Sequence, residues 1–213
     1  MIKLSRPSKM PCPSWSLEAI ETCPASIGSD GDLVDACKGC YAVGGNYRFP
    51  NVRNVRIHNK QDWKRDEWVS DMVVALQNYR YFRWFDSGDM YHKKLAYKIL
   101  EVCKQTEWCN HWIPTRMHKF TKFKQVLNEL NELPNVVVRY SSDSVTGKTI
   151  EGKYTSTIIP FLKIKTKATI CMAFEREGKC GTCRACWSKD EPLIAYVAHG
   201  QSMKSLLMNK GVV

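Results

Sequence analysis

Residues 81–89 read YFRWFDSGD and residues 136–144 read VVVRYSSDS. Each is a short aromatic or β-branched run that stops at a cluster of Asp, Ser and Gly, which is how a strand ending in a turn reads. Val136, Val137 and Val138 are continuously apolar, as expected of a strand covered on both faces. Between the two runs, Leu95, Ile99, Leu100 and Cys103 recur at helical spacing, and so do Phe120, Phe123, Val126, Leu127 and Leu130, which Pro134 closes. His111-Trp112-Ile113 predicts the intervening strand, stopped by Pro114.

Upstream, Trp68, Met72, Val73 and Leu76 mark a helical region within residues 52–79, and Ser14-Trp15-Ser16-Leu17 alternates as a short strand ahead of a long loop. Strands alternating with helices argue for a parallel sheet with crossover helices. In such folds the segments following the strands gather at their carboxyl ends, where ligands bind. The Cys-rich loop, the Asp86 to Asp89 turn, Thr115-Arg116 and the segment from Ser141 to Asp143 are therefore expected to face one another. After Ser144 the pattern weakens, with residues 157–161 and 168–170 as further strand candidates. The expected fold is α/β, a partial (β/α) barrel-like parallel sheet with a Cys-rich C-terminal extension. Residues 1–160 would form the α/β domain with its N-terminal Cys-rich loop, and residues 161–213 a cluster-binding segment.

Composition sets the limits. The chain has 213 residues, 44% hydrophobic and 25% charged, ordinary for a folded domain. No apolar run is long enough to span a bilayer. Residues 1–12 carry Lys and Arg without an apolar stretch behind them, so no secretory signal is read there, and the cytoplasm is the expected compartment. Ten cysteines in a reducing compartment point away from disulfides and toward metal. The net charge of +11 allows a polyanionic partner, nucleic acid included, although the basic residues fall in three separate stretches that also suit solvated faces.

Cys171, Cys180, Cys183 and Cys186 are spaced C-x8-C-x2-C-x2-C. Two overlapping C-x2-C turns bring three thiolates into one small volume, the arrangement bacterial ferredoxins use with a distant fourth ligand, and Cys171 is the candidate fourth. Structural zinc more often draws two thiolates from each of two knuckles, so zinc stays open as the alternative. Cys23, Cys37 and Cys40, spaced C-x13-C-x2-C, invite a cluster with one open iron, which substrate or cofactor could reach. A rival arrangement joins Cys37 and Cys40 to Cys180 and Cys183 in a single site. Cys103 lies on the apolar side of its helix and reads as core, while Cys12 and Cys109 have no spacing partner.

Asp86 and Asp89 flank Ser87-Gly88 at a strand end and could take an ammonium group, a ribose hydroxyl or a cation, or simply cap the turn. Arg116 could hold a carboxylate or phosphate bidentately, or form a surface ion pair. His111 and His118 read as structural. Tyr41, Tyr47 and Trp187 adjoin the cysteine groups and could shield a cluster from water. Gly44-Gly45 is too short a signal for a phosphate loop.

The runs Ser8-Lys9-Met10-Pro11, Cys37-Lys38-Gly39-Cys40-Tyr41-Ala42, residues 82–89, His111-Trp112-Ile113-Pro114-Thr115-Arg116 and residues 180–187 together resemble the mycobacteriophage gene 88 protein family, over roughly residues 8–187. The resemblance implies a phage origin, hence the host cytoplasm, and carries no settled activity. A looser likeness is to radical S-adenosylmethionine enzymes. It implies Cys23, Cys37 and Cys40 as ligands of a [4Fe–4S] cluster, with Asp86, Ser87, Gly88 and Asp89 where that superfamily binds the cofactor's amino group. The chain departs from that superfamily in lacking C-x3-C-x2-C, in having Gly39 rather than an aromatic before the last cysteine, and in lacking Gly-Gly-Glu after the second strand. Three readings follow: an enzyme of that type with one or two clusters and S-adenosylmethionine, a non-catalytic iron–sulfur protein binding nucleic acid or a host protein, and a zinc-stapled protein. None involves a membrane.

Overall fold

The computed structural model describes residues 1–212. Seven strands form one sheet: β1 (Ser14–Trp15), β2 (Tyr81–Trp84), β3 (Asn110–Thr115), β4 (Val136–Ser141), β5 (Thr155–Ile159), β6 (Thr169–Cys171) and β7 (Leu193–Val197). All six pairings are parallel and the order is β1-β2-β3-β4-β5-β7-β6. The helices are α1 (Asp35–Lys38), α2 (Pro50–Asp62), α3 (Trp68–Leu76), α4 (Lys93–Gln105), α5 (Lys124–Glu132) and α6 (Gln201–Asn209). No helix among the described residues is long and apolar enough to cross a membrane.

From β1 to β5 the chain steps one strand at a time in one direction. The helices between the first four strands pack on one face: Trp68 and Met72 of α3, Leu95 and Ile99 of α4, and Val126 and Leu130 of α5 share a core with Trp15, Phe82, Trp84, Ile113, Val136 and Val138 of the strands. Three tryptophans, Trp15, Trp68 and Trp84, meet there edge-on or tilted with ring centroids 5.3 to 6.2 Å apart. The expected strands at 157–161 and 168–170 are present as β5 and β6. Residues 161–212 add β6 and β7 to the same sheet, and β7 inserts between β5 and β6.

One boundary differs from expectation. Pro114 does not stop β3; the strand runs through it to Thr115, with Pro114 opposite Arg139. Pairing between β2 and β3 has already ended at Trp112, so past that residue one side of β3 is free and behaves as an edge, where a proline without an N–H is tolerated.

His111 is structural, and its surroundings fix its tautomer. The Thr106 hydroxyl donates to the Val102 carbonyl at 2.7 Å, so it accepts from His111 Nε2–H at 2.8 Å, and Nδ1 accepts from Trp84 Nε1–H at 3.2 Å. Burial pushes this imidazole down to about 3. The folded pKa lies below that of the unfolded chain. The stabilisation is therefore complete above the ordinary value of about 6.5 and is lost as the pH falls toward 3, at up to ~1.4 kcal/mol per pH unit. Urea unfolding between pH 7 and pH 4 is expected to show this slope in the native chain and to lose this share of it in His111→Gln. Equal slopes in the two would rule the imidazole out as its source.

Candidate functional site

The four segments expected to face one another do meet at the carboxyl edge of the sheet. After β2 the chain turns through Phe85 and Gly88, at φ 55° and 76°. The Asp86 carboxylate accepts from the Ser16 hydroxyl beyond β1, from Tyr47 at 3.1 Å and from Arg56 of α2 at 3.2 Å, in an ion pair buried on both sides. Arg56 also donates to the Ser87 hydroxyl at 2.6 Å. Asp89 accepts from the Thr115 hydroxyl at 2.6 Å and from the amides of Met90 and Arg116 at 2.8 and 2.9 Å. Burial raises the Asp89 pKa, and these three donors oppose the shift. Arg116 reaches on to the Asp143 carboxylate at 3.2 Å and the Ser142 carbonyl at 3.0 Å, and Lys119 pairs with Asp143. Both turn carboxylates are thus engaged within the chain, and each ties neighbouring strand ends together.

The N-terminal thiols sit above this edge. Thr22 accepts the Asp89 amide at 3.1 Å, which places Cys23 over the β2 turn. Ala36 donates to the Asp143 carbonyl at 3.0 Å, which places Cys37 and Cys40 over the end of β4. The Cys40 amide closes the C-x2-C turn onto the Cys37 carbonyl at 3.1 Å. Gly39 lies hard against α6: a Cβ there would stand 2.8 Å from the end of Met203. Burial pushes the Cys23 thiol up to about 12; nearby Asp89 and the thiols of Cys37 and Cys40 add to this, while the Ile20 backbone opposes it. Burial also raises Cys37, with Arg116 opposing and Cys40 reinforcing.

The C-terminal thiols lie against the sheet face that carries no crossover helices. Cys171 ends β6 opposite Tyr196 of β7. The Cys180 amide donates to the Lys9 carbonyl at 2.8 Å, and the Cys183 amide to the Cys180 carbonyl at 3.1 Å, the same closure as at Cys37 and Cys40. Trp187 Nε1 donates to the Phe82 carbonyl at 2.8 Å and pins the segment to β2. Cys180 and Cys186 pack with Met10, Cys12, Trp112 and Trp187 in an apolar cluster of their own, and Cys186 Sγ stands 3.4 Å from the Tyr196 hydroxyl. Burial raises Cys180, with Lys9 opposing and Cys171 and Cys183 reinforcing. Burial pushes Cys186 up to about 11.

All ten cysteines are free, and among the described residues no three His, Cys, Asp or Glu side chains are close enough together to hold a metal ion. The thiols form two neighbourhoods rather than two finished ligand sets. Each neighbourhood brings three or four soft sulfur donors into one region without closing a ligand set, and the buried Trp112 Nε1, which has no hydrogen-bond partner, lies in the same apolar cluster as Cys180 and Cys186. Thiols held protonated by burial must release protons on metallation, so binding would be coupled to pH and to local rearrangement.

A family model described as Gene product 88 matches residues 2–189. The chain belongs to the Gene product 88 family. No curated protein and no solved structure matches it. The Gene product 88 match spans both thiol neighbourhoods and stops at Lys189, before β7 and α6.

Several residues of these neighbourhoods carry no spacing signal. Cys12 shares an apolar cluster with Cys180, whose amide donates to the Lys9 carbonyl at 2.8 Å. Arg56 and Lys119 read as parts of basic stretches, yet each closes a carboxylate at the sheet edge. Arg83 and Arg139 did carry a signal: each interrupts an otherwise apolar or aromatic strand.

Proposed function

We propose that this chain is an iron–sulfur enzyme of the radical S-adenosylmethionine type, with a second cluster at its C-terminal thiols. The observation that carries the reading is the position of Cys23, Cys37 and Cys40. All three lie on the loop after β1, over the carboxyl edge of an all-parallel sheet, beside the Asp86–Asp89 turn and the end of β4. Cys23, Cys37 and Cys40 would hold three irons of a [4Fe–4S] cluster and leave the fourth open; Cys171, Cys180, Cys183 and Cys186 would fill all four positions of the other. A cluster held by Cys23, Cys37 and Cys40 would supply the one electron needed for reductive cleavage of S-adenosylmethionine.

The protein's own part is orientation and exclusion of water. Asp86 and Asp89, with their oxygens engaged, hold the shape of the turn against which the cofactor's amino group would lie. Arg116, half-buried and anchored by Asp143, would meet its carboxylate. Tyr41 and Tyr47 stack edge-on 5.5 Å apart and cover this side, bonded to the backbone and carboxylate of Asp86.

Anaerobic reconstitution tests the reading. Protein loaded with iron and sulfide, reduced with dithionite and given S-adenosylmethionine is expected to form 5′-deoxyadenosine and methionine. A fully loaded, reduced protein that forms neither is a non-catalytic iron–sulfur protein. A colourless protein that retains zinc and takes up no sulfide is the zinc-stapled one, since zinc is d¹⁰.

A further inference from the structure

One stretch of the chain carries positive charge and no negative. From Ala36 to Gln61 there is no Asp or Glu, while Lys38, Arg48, Arg53, Arg56 and Lys60 fall within it. The same stretch shows large apolar side chains to solvent: Tyr41 is 58%, Val43 54% and Phe49 56% exposed. Apolar residues exposed singly are ordinary, but several in so short a run, interleaved with arginine, form a patch. The patch continues along α2. Phe49, Arg53 and Ile57 are exposed and recur at the spacing that places side chains on one helix face.

Between this patch and the loop after β1 the surface opens into a cleft of about 300 Å³, within the size range of small-ligand sites. Glu18, Val43, Tyr47, Arg48, Arg53 and Arg56 line it, and Glu18 is its single carboxylate among the described residues. The three arginines differ in what they hold. Arg56 is buried over the Tyr47 ring at 4.7 Å, and Asp86, Ser87 and Val52 take its donors, so it serves as a fixed wall. Arg53 meets Glu18 only through Nε, at 3.5 Å, leaving both terminal nitrogens unengaged among the described residues. Its side chain is 65% exposed, and a pair so open to water holds weakly. Arg48 is exposed and forms no ion pair among the described residues.

We propose that this cleft and the adjoining face of α2 bind single-stranded nucleic acid, with backbone phosphates on Arg48 and Arg53 and a base stacked on Phe49. The guanidinium fork matches phosphate oxygens in pairs. An exposed aromatic ring beside it suits unpaired bases, whose faces a duplex keeps stacked inside. The net charge of +11 draws the same partner from a distance. The binding needs neither a cluster nor S-adenosylmethionine, so it stands or falls apart from the enzymatic reading.

Fluorescence anisotropy of short labelled single strands of RNA and DNA, titrated with the full-length protein as purified, tests it. Arg48→Ala with Arg53→Ala is expected to weaken binding roughly tenfold or more. It should also flatten the slope of log affinity against log salt by about 1.4, the share of two phosphate contacts on a single strand. Phe49→Ala should weaken binding by roughly five- to a hundredfold with the salt slope unchanged, and Phe49→Tyr, which keeps a ring, should bind like the parent. All three side chains are exposed, so these variants should melt with the parent. Lys163→Ala with Lys165→Ala and Lys167→Ala removes exposed charge ahead of β6 and should leave the affinity nearly unchanged. Equal losses in the lysine and arginine variants would show diffuse attraction and overturn the site. A duplex that binds as tightly as the strand, with Phe49→Ala indifferent, would overturn the stacked base. Polyglutamate that displaces the strand at equal charge would identify an acidic peptide as the partner. Absence of binding at low salt overturns the proposal outright.

Discussion

Converting Cys37 and Cys40 together to alanine is expected to abolish cleavage of S-adenosylmethionine and to remove about half of the bound iron and sulfide, the other half staying in place. The converse pair, Cys180→Ala with Cys183→Ala, should remove the other half and leave the first cluster able to cleave the cofactor. The two thiol groups are locally alike: each C-x2-C turn closes with an amide-to-carbonyl bond of 3.1 Å. They differ in what surrounds them. Cys37 lies among Arg116, Asp143 and Lys119 at the carboxyl edge, whereas Cys180 lies among Lys9, Cys171 and Cys183 on the sheet face opposite α3, α4 and α5. Iron and sulfide counting on anaerobic protein, together with chromatographic detection of 5′-deoxyadenosine, reads both outcomes. Complete loss of iron from either double variant would instead mean that Cys37, Cys40, Cys180 and Cys183 close one shared site.

Much of this arrangement was legible because local rules and the global fold agree. Strands β2 and β4 announce themselves by aromatic and valine runs cut off by Asp, Ser and Gly, and the three intervening helices by their apolar stripes. The convergence at the sheet edge follows from parallel topology alone, so Asp86, Asp89, Arg116 and Asp143 could be grouped before any contact was known. What escaped depends on long-range order. Leu193–Val197 is a plausible strand by composition, but its insertion between β5 and β6 is a matter of pairing across the fold, which no local pattern encodes. In α6 only Met203 and Leu207 are buried, too thin a stripe to read. Cys12 had no spacing partner because its neighbour, Cys180, lies far along the chain. The turn carboxylates show the opposite limit: Asp86 and Asp89 were open to ligand roles by position, yet Ser16, Tyr47, Arg56 and Thr115 already claim their oxygens. Residue type and placement point to a site; only the partners decide whether a side chain is available there.

Replacing Gly88 by alanine is expected to destabilise the folded chain by ~3 kcal/mol or more, from backbone strain and overpacking together. Gly88 sits at φ 76°, where an L side chain costs roughly 1–2 kcal/mol. An added Cβ would stand 2.6 Å from both Leu17 Cβ and Thr22 Oγ1, and 3.0 Å from the Leu17 backbone carbon. None of these is the far end of a flexible chain. Leu17 is fully buried and its amide is bonded to the Ser87 carbonyl at 3.0 Å, and Thr22 holds the Asp89 amide, so relief of the clash must move the loop that leads to Cys23 or the turn itself. For a chain of this size ~3 kcal/mol corresponds to a fall in melting temperature of roughly 6–12 °C. Gly31 provides the control: at φ 83° it bears comparable backbone strain, with nothing within 4 Å of an added Cβ, so Gly31→Ala should cost the strain alone. The difference between the two variants isolates close packing between the β2 turn and the cysteine loop, the contact on which alignment of Cys23 with Asp86 and Asp89 depends. Thermal unfolding of both metal-free variants reads it. Equal losses at the two glycines would show that the turn and the cysteine loop are not locked together, and the edge would then lack the rigidity that positioning a cofactor requires.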